Sequence, residues 1–242
     1  MNRQIDVCLS PELLNLYELE GRIVVVIDVL RATSCMVTGL AEGVESIHPV
    51  ATLDQCLQLA GSGYLTAAER GGEQVAGFDL GNSPRAYLNG AFAGRKVAIT
   101  TTNGTLAITK SAPFAKQVLI GAFLNLNALA EYLRQQPEDV VLLCAGWKGK
   151  VNMEDTLFAG ALISELEATH TLCCDAPLVS KTLYQAVKED LFGYLMQSSH
   201  AQRLSKFGVE EDIRFCLQAD QYGVIPVLKG EELVVLPSTV SQ

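Results

Sequence analysis

The sequence predicts an α/β protein of three layers, α/β/α, with a largely parallel or mixed sheet. Apolar runs rich in Val and Ile recur along the chain, each followed by a polar turn and a stretch suited to a helix. That strand–helix alternation is the pattern of a sheet covered by helices on both faces. The third observation is where the polarity falls. The runs VVVIDVLRATS (24–34), VAITTTNGT (97–105) and VVLLCAGWKGKVNMED (140–155) each end in a turn holding acids, amides, hydroxyls or a cation. In open α/β sheets ligands bind outside the carboxyl ends of the strands, so these turns predict a site for a small, highly charged molecule.

The elements follow in order. A strand is expected near 5–9, then Ser10 as an N-cap with Pro11 at the first helical position, where its missing N–H costs nothing. The β-branched run 23–29 suits a central strand buried on both faces. A helix over 32–40, a strand over 46–50 and a helix from 52 to about 60 come next, followed by a strand over 64–68 that ends at Glu69-Arg70-Gly71-Gly72. Positions 71–84 read as a long structured loop, with a short helix after Ser83-Pro84. Strand 96–100, a helix after Asn103-Gly104, strand 117–121, helix 125–136 and strand 139–145 continue the alternation. The stretch 152–219 reads as mainly helical, before a strand over 223–228 and a hairpin reaching 236. The chain reads as one domain, 1–242. Its segments 23–60 and 96–136 invite two readings, two related α/β halves or the ordinary repetition of a strand–helix unit.

Composition narrows the partners. Of 242 residues, 49% are apolar and 19% charged, so the chain is not of the disordered class and carries enough apolar surface for a large core. Eighteen Lys and Arg against 27 Asp and Glu leave a net charge of −9, which argues against nucleic acid or an anionic membrane as partner. No signal-peptide pattern opens the sequence, and no apolar run approaches the ~20 residues of a membrane span, so the expected location is the cytoplasm. Seven cysteines without a CxxC read as reduced thiols, and three scattered histidines form no zinc-spaced cluster. The sequence leaves the state of association, monomer or homo-oligomer, open.

Chemistry-bearing residues gather at the strand ends. Asp28 suits a metal ligand or a water-activating carboxylate; the competing reading is a buried acid paired with Arg31 or capping the next helix. Glu69 and Arg70 precede two permissive glycines, and Arg31 and Arg70 suit bidentate grip on oxyanions. Asp79, Asn82 and Ser83 add an acid, an amide and a hydroxyl on the long loop. Thr101, Thr102, Asn103 and Gly104 can offer hydroxyls and helix-end N–H groups to an oxyanion, or can simply cap that helix. Cys144 opens a CxxxxxK string with the outline of a thiolate phosphatase loop, yet Lys150 stands where a bidentate Arg would be needed. Glu154 and Asp155 are metal-ligand candidates or favourable charge at a helix start. His200 is a proton donor or an anion contact if it is not a surface residue.

Taken together, VIDVLRATS (26–34), ERGG (69–72), GFDLGNSP (77–84), TTTNGT (100–105), IGAFLN (120–125), CAG (144–146), ED (154–155), SSHAQRL (198–204) and DIRFCLQAD with VIPV (212–227) resemble the 2-phosphosulfolactate phosphatase family, in collinear order over nearly the whole chain. The resemblance implies an α/β fold and a Mg²⁺-dependent phosphatase hydrolysing 2-phospho-3-sulfolactate to 3-sulfolactate and phosphate, a step toward coenzyme M in organisms that make it. For such a reaction the expected catalytic residues are Asp28, Arg31, Glu69, Arg70, Asp79, Asn82 and His200. Arg31, Arg70, Thr101, Thr102, Asn103 and Gly104 would bind substrate, and Asp28 with Glu154 and Asp155 would hold the metal. Cys35, Ala68 and Ala201 depart from residues common in the family. Two alternatives stay open: a phosphatase for another small anionic phosphoester, and a non-catalytic protein that binds an anionic metabolite.

Overall fold

The computed structural model describes residues 3–237, and its centre is built by the Val/Ile runs. Strand β1 (Arg3–Cys8) leads through a 3-10 turn capped by Ser10 to β2 (Ile23–Ile27), every residue of which is buried. Helix α1 (Ala32–Ala41), β3 (Ser46–Pro49), α2 (Leu53–Ala60) and β4 (Leu65–Arg70) follow, with Thr52 and Gln55 forming a capping box at α2. A two-residue strand β5 (Glu73–Gln74) turns back on β4 before the long loop. Then come β6 (Lys96–Thr100), α3 (Gly104–Ser111), β7 (Gln117–Gly121), α4 (Leu126–Gln135), β8 (Val140–Cys144) and α5 (Met153–Leu166).

The 152–219 stretch is not wholly helical. It contains a short edge strand β9 (His170–Leu172) between α5 and α6 (Asp175–Val187), ahead of α7 (Leu191–Leu195), α8 (Ser199–Ser205) and α9 (Glu210–Cys216). The closing strand β10 (Pro226–Lys229) starts later than expected, and β11 (Glu232–Val235) completes the hairpin.

Among the described residues the strands form one mixed sheet of eleven, ordered β5-β4-β6-β3-β11-β10-β7-β2-β8-β1-β9. Two blocks within it are parallel, β4-β6-β3 and β7-β2-β8-β1-β9. The hairpin joins them by antiparallel pairing at Leu233 with Ile47 and at Val227 with Leu119. Three antiparallel steps separate the blocks, so they run in opposite directions. The segments 23–60 and 96–136 cross between the blocks reciprocally: β2 pairs β7 while β3 pairs β6.

Period-two alternation sorts the core. Ile23, Val25 and Ile27 pack with Leu129, Leu133, Leu157 and Leu162 of α4 and α5. Val24 and Val26 face the other way and share a cluster with α1, α3 and residues of the smaller block, including Ala67, Val97 and Ile99. That sharing means the sheet curls. In a flat sheet β2 and β6, five strand positions apart, would lie about 24 Å from each other. Instead a Cβ built on Gly104, just past β6, would lie 2.7 Å from Asp28 Oδ2, just past β2. The crevice predicted from strand ends therefore exists, but curvature between opposed blocks makes it rather than one parallel edge.

Candidate active site

The two turns at the crevice are laced by their own hydroxyls. After β2, the Asp28 N–H donates to Thr33 Oγ1 at 3.1 Å, the Thr33 N–H to Asp28 O at 2.9 Å, and Ser34 Oγ to Val29 O at 2.8 Å. After β6, the Thr101 N–H donates to Thr105 Oγ1 at 3.3 Å and the Thr105 N–H to Thr101 Oγ1 at 3.2 Å. These bonds satisfy backbone groups that a buried helix start would otherwise leave orphaned. They explain the Thr and Ser of both motifs as structural residues that fix the turns.

One buried pocket collects six of the thirteen expected residues. Asp28, Arg31, Glu69, Asn82, Asn103 and His200 line it together with Gly72, Trp147 and Arg203. Burial pushes the Asp28 carboxyl up to about 7; His200 opposes the shift, while the Glu69 and Glu154 charges add to it. Glu69 accepts the Gly72 N–H at 2.6 Å and the Thr102 N–H and hydroxyl, each at 3.2 Å. The first of these needs the tight turn at Gly71 and Gly72, whose φ values of 69° and 102° lie in the region glycine favours.

Arg31 does not pair with Asp28. Its guanidinium donates to Asp212 Oδ2 at 2.6 Å and to Gly72 O at 2.9 Å, and Asp212 also accepts from Ser83 Oγ at 2.9 Å. This buried network ties α9, the Gly72 turn and the Ser83 loop around the pocket. Arg70 faces the other way. It donates to Glu69 O at 2.6 Å and to Thr100 Oγ1 at 3.0 Å, and it lines a neighbouring cleft with Thr101 and Thr102. Asp79 is exposed and accepts from the Thr66 N–H at 2.8 Å and hydroxyl at 2.9 Å, bracing the long loop against β4.

The opening turn of α5 closes the floor. Asp155 accepts the Val29 N–H and the Gly146 N–H, both at 3.0 Å, and so clamps the turns after β2 and β8 to each other. Burial raises its pKa well above the carboxylate range, with Glu154 and Asp28 adding and the two N–H groups opposing. Glu154 is fully buried; Oε1 contacts His200 Nδ1, and Oε2 has no hydrogen-bond partner. His200 stacks on Trp147 with ring centroids 5.9 Å apart, and Arg203 lies over the same indole at 4.1 Å. Asn82 Oδ1 and Arg203 Nη2 are also buried without partners. Such orphaned groups cost on the order of 1–3 kcal/mol each when they stay unpartnered, and three of them gather around this one pocket.

Sequence reasoning missed Trp147, Arg203 and Asp212. All three lay inside motifs read for other reasons, and the role of Asp212 shows only in its contact with Arg31. The 146–150 loop is a small hairpin closed by bonds of 2.8 and 2.9 Å between Trp147 and Lys150, so it presents the indole instead of cradling phosphate. Cys144 is fully buried, and burial raises its thiol well above its ordinary value, which removes the thiolate reading. Cys173 and Cys174 are exposed free thiols at the far edge. Cys35, Ala68 and Ala201 are packed in the apolar clusters, and none lines the pocket.

A buried pocket of acids, two amides, a histidine and two arginines at strand ends is suited to a small phosphorylated anion, and comparison with known proteins gives the class. Residues 8–231 match the family model described as 2-phosphosulpholactate phosphatase. A protein named "Probable 2-phosphosulfolactate phosphatase" from Pseudothermotoga lettingae is 38% identical over 231 residues, 95% of this chain and 98% of that one. Proteins of the same name from Caldanaerobacter subterraneus subsp. tengcongensis and Picosynechococcus sp. are 37% identical over 88% of this chain and 40% over 84%; the match covers 90% and 86% of those proteins. The chain is a phosphoric monoester hydrolase. It belongs to the 2-phosphosulpholactate phosphatase family. Among its described residues no helix is long and apolar enough to cross a membrane.

Proposed function

We propose that the protein is a Mg²⁺-dependent phosphatase that hydrolyses 2-phospho-3-sulfolactate to 3-sulfolactate and phosphate. The observation that carries this reading is the convergence of Asp28, Glu154, His200, Arg31 and Arg203 on one buried pocket in a chain of this family. The pocket and its floor hold more acid than base, so a multiply charged anion needs a cation beside it. The residues fit Mg²⁺. Glu154 Oε2 is a buried oxygen without a partner, and Asp28 is a carboxylate crowded by two others. Among the described residues no three His, Cys, Asp or Glu converge on a metal position, which leaves the one or two carboxylates plus substrate phosphate that Mg²⁺ commonly takes. Asp28 and Glu154 would hold the ion, while both Asp155 oxygens already accept backbone N–H groups.

Held there, Mg²⁺ would supply positive charge to offset that of the phosphoryl group while the ester is hydrolysed by water. The chain supplies the rest. Arg31, its charge paired with Asp212, fixes one wall, and Asn103 and Asn82 would offer amides to the remaining oxygens. His200, oriented through Nδ1 by Glu154, would hold a proton on Nε2 for the departing alkoxide. Trp147 and Leu204 give that side of the pocket an apolar wall.

The test is release of inorganic phosphate from 2-phospho-3-sulfolactate and a panel of carboxylated and simple phosphoesters, with Mg²⁺ or with EDTA. The sulfonated ester should be the best substrate, with turnover lost in EDTA. Asp28→Asn, folded as judged by circular dichroism, should lose at least ~10²-fold in rate, the scale of one electrostatic contact to the transition state. Preference for another ester would reassign the substrate, full activity in EDTA would remove the metal, and near-normal Asp28→Asn turnover would remove Asp28.

A further inference from the structure

We propose that Arg203, seated on Trp147, recognises the oxyanion of the substrate that is not transferred, the sulfonate or carboxylate kept by the product. This rests on the phosphatase reading above and names the residue that sets its specificity. The sequence offered Arg31 and Arg70 as anion clamps. The structure commits Arg31 to Asp212 and turns Arg70 toward Thr100 and the neighbouring cleft. Arg203 remains: it lines the pocket, forms no ion pair among the described residues, and buries Nη2 without a partner.

An arginine in the last turn of a helix also complements the helix dipole, and Arg203 occupies that position in α8. A solvated side chain would meet that need. Burying an unpaired Nη2 at the wall of a polar pocket calls for an acceptor from outside the chain. The indole explains how the guanidinium is held there, 4.1 Å from the ring centroid.

The same indole places the two ends of the ligand. His200 and Arg203 are three residues apart on α8, so they share a face with Cβ atoms about 5–6 Å apart. His200 sits against Glu154 and beside Asp28, at the phosphoryl end. Arg203 is then one turn further on, where an acid group a few bonds from phosphorus would lie. Its planar fork suits two oxygens of one sulfonate or carboxylate, which a lysine would meet only as a point charge.

The test compares wild type with Arg203→Gln, Arg203→Lys, Trp147→Phe and Trp147→Ala on four esters: 2-phospho-3-sulfolactate, 2-phospholactate, the phosphate ester of 2-hydroxyethanesulfonate, and ethyl phosphate. Arg203→Gln should raise KM for the sulfolactate ester by about 10- to 100-fold with kcat little changed, the range for losing charge-assisted hydrogen bonds. Its kcat/KM on ethyl phosphate, which has no second acid group, should fall far less than on the sulfolactate ester. Calorimetry should show the affinity for 3-sulfolactate falling by the same factor, a readout that needs no turnover. Arg203→Lys should recover part of the loss, Trp147→Ala should behave as a milder Arg203→Gln, and Trp147→Phe, which keeps an aromatic face, should lose less than Trp147→Ala.

Whichever singly acidic ester shares the KM rise identifies the group contacted. An equal loss on ethyl phosphate, or unchanged KM and sulfolactate affinity, overturns the proposal. If Arg203→Gln does not fold, Arg203→Lys and Trp147→Ala decide by the same comparison. If wild type leaves the sulfolactate ester intact but cleaves another acidic ester, the substrate reading fails, and Arg203 is judged on that ester and its product.

Discussion

Replacing Gly104 by alanine tests whether the position of Asp28 governs turnover. The new Cβ would lie 2.7 Å from Asp28 Oδ2 and 2.7 Å from Ala32 Cβ, where ordinary contact begins at 3.4 Å, so something must give by 0.7 Å. Ala32 Cβ is fixed by the backbone of α1 and cannot rotate away, whereas the Asp28 carboxylate can. Alanine at a helix position is worth about 0.5–1 kcal/mol over glycine, against roughly 1–3 kcal/mol for overpacking, so the net loss of stability stays near 0–2.5 kcal/mol. In a chain of this length that lowers Tm by up to about 10 °C. A shift approaching 1 Å at a reacting group can cost on the order of 10²-fold in rate. Phosphate release by Gly104→Ala should therefore fall about 10- to 100-fold in kcat/KM while the protein still melts cooperatively. The control is Gly121→Ala, whose Cβ would lie 2.7 Å from Phe158 Cε1 and 2.8 Å from Val25 Cγ1, in the core. It should lose about 1–3 kcal/mol of stability and keep its turnover per folded molecule. Wild-type activity in Gly104→Ala, or equal activity losses in both variants, would refute the link between Asp28 placement and rate.

Asp212→Ala should destabilise the fold by about 3–5 kcal/mol in urea unfolding, because it leaves the Arg31 guanidinium buried without its carboxylate. Replacing Arg31 and Asp212 together by apolar residues should recover much of that stability but not activity. Cys144→Ala should retain phosphatase activity within a few-fold and lose about 1–2 kcal/mol from the core; loss of turnover in folded protein would reinstate the thiol.

The legible features were those written in neighbouring residues. The runs at 23–27, 96–100 and 140–144 announce strands because β-branched residues alternate or accumulate there, and the turns after them carry the hydroxyls that hold them. His170–Leu172 escaped because three residues, two of them exposed at a sheet edge, carry no pattern. In the site, Asp28, Glu69, Asn103 and His200 were found because each stands at or just past the end of a strand or opens a helix. The partner of Arg31 was not found: Asp212 lies 181 positions away in the chain. Trp147 and Arg203 were hidden because a cation over an indole leaves no spacing in sequence.

By itself the chain of residues determined the class of fold, the turns that carry the chemistry and the family. Those depend on local hydrogen bonding and on apolar periodicity, which a linear sequence displays directly. Only the tertiary structure decided which turns meet. The hairpin from Pro226 to Val235 sets the two strand blocks in opposite directions, and the resulting curl carries Gly104 against Asp28. It also decided that Arg31 is spent on Asp212 while Arg203 rests on Trp147. Contacts between residues far apart in the chain depend on how the sheet closes, and that follows from packing the whole core at once.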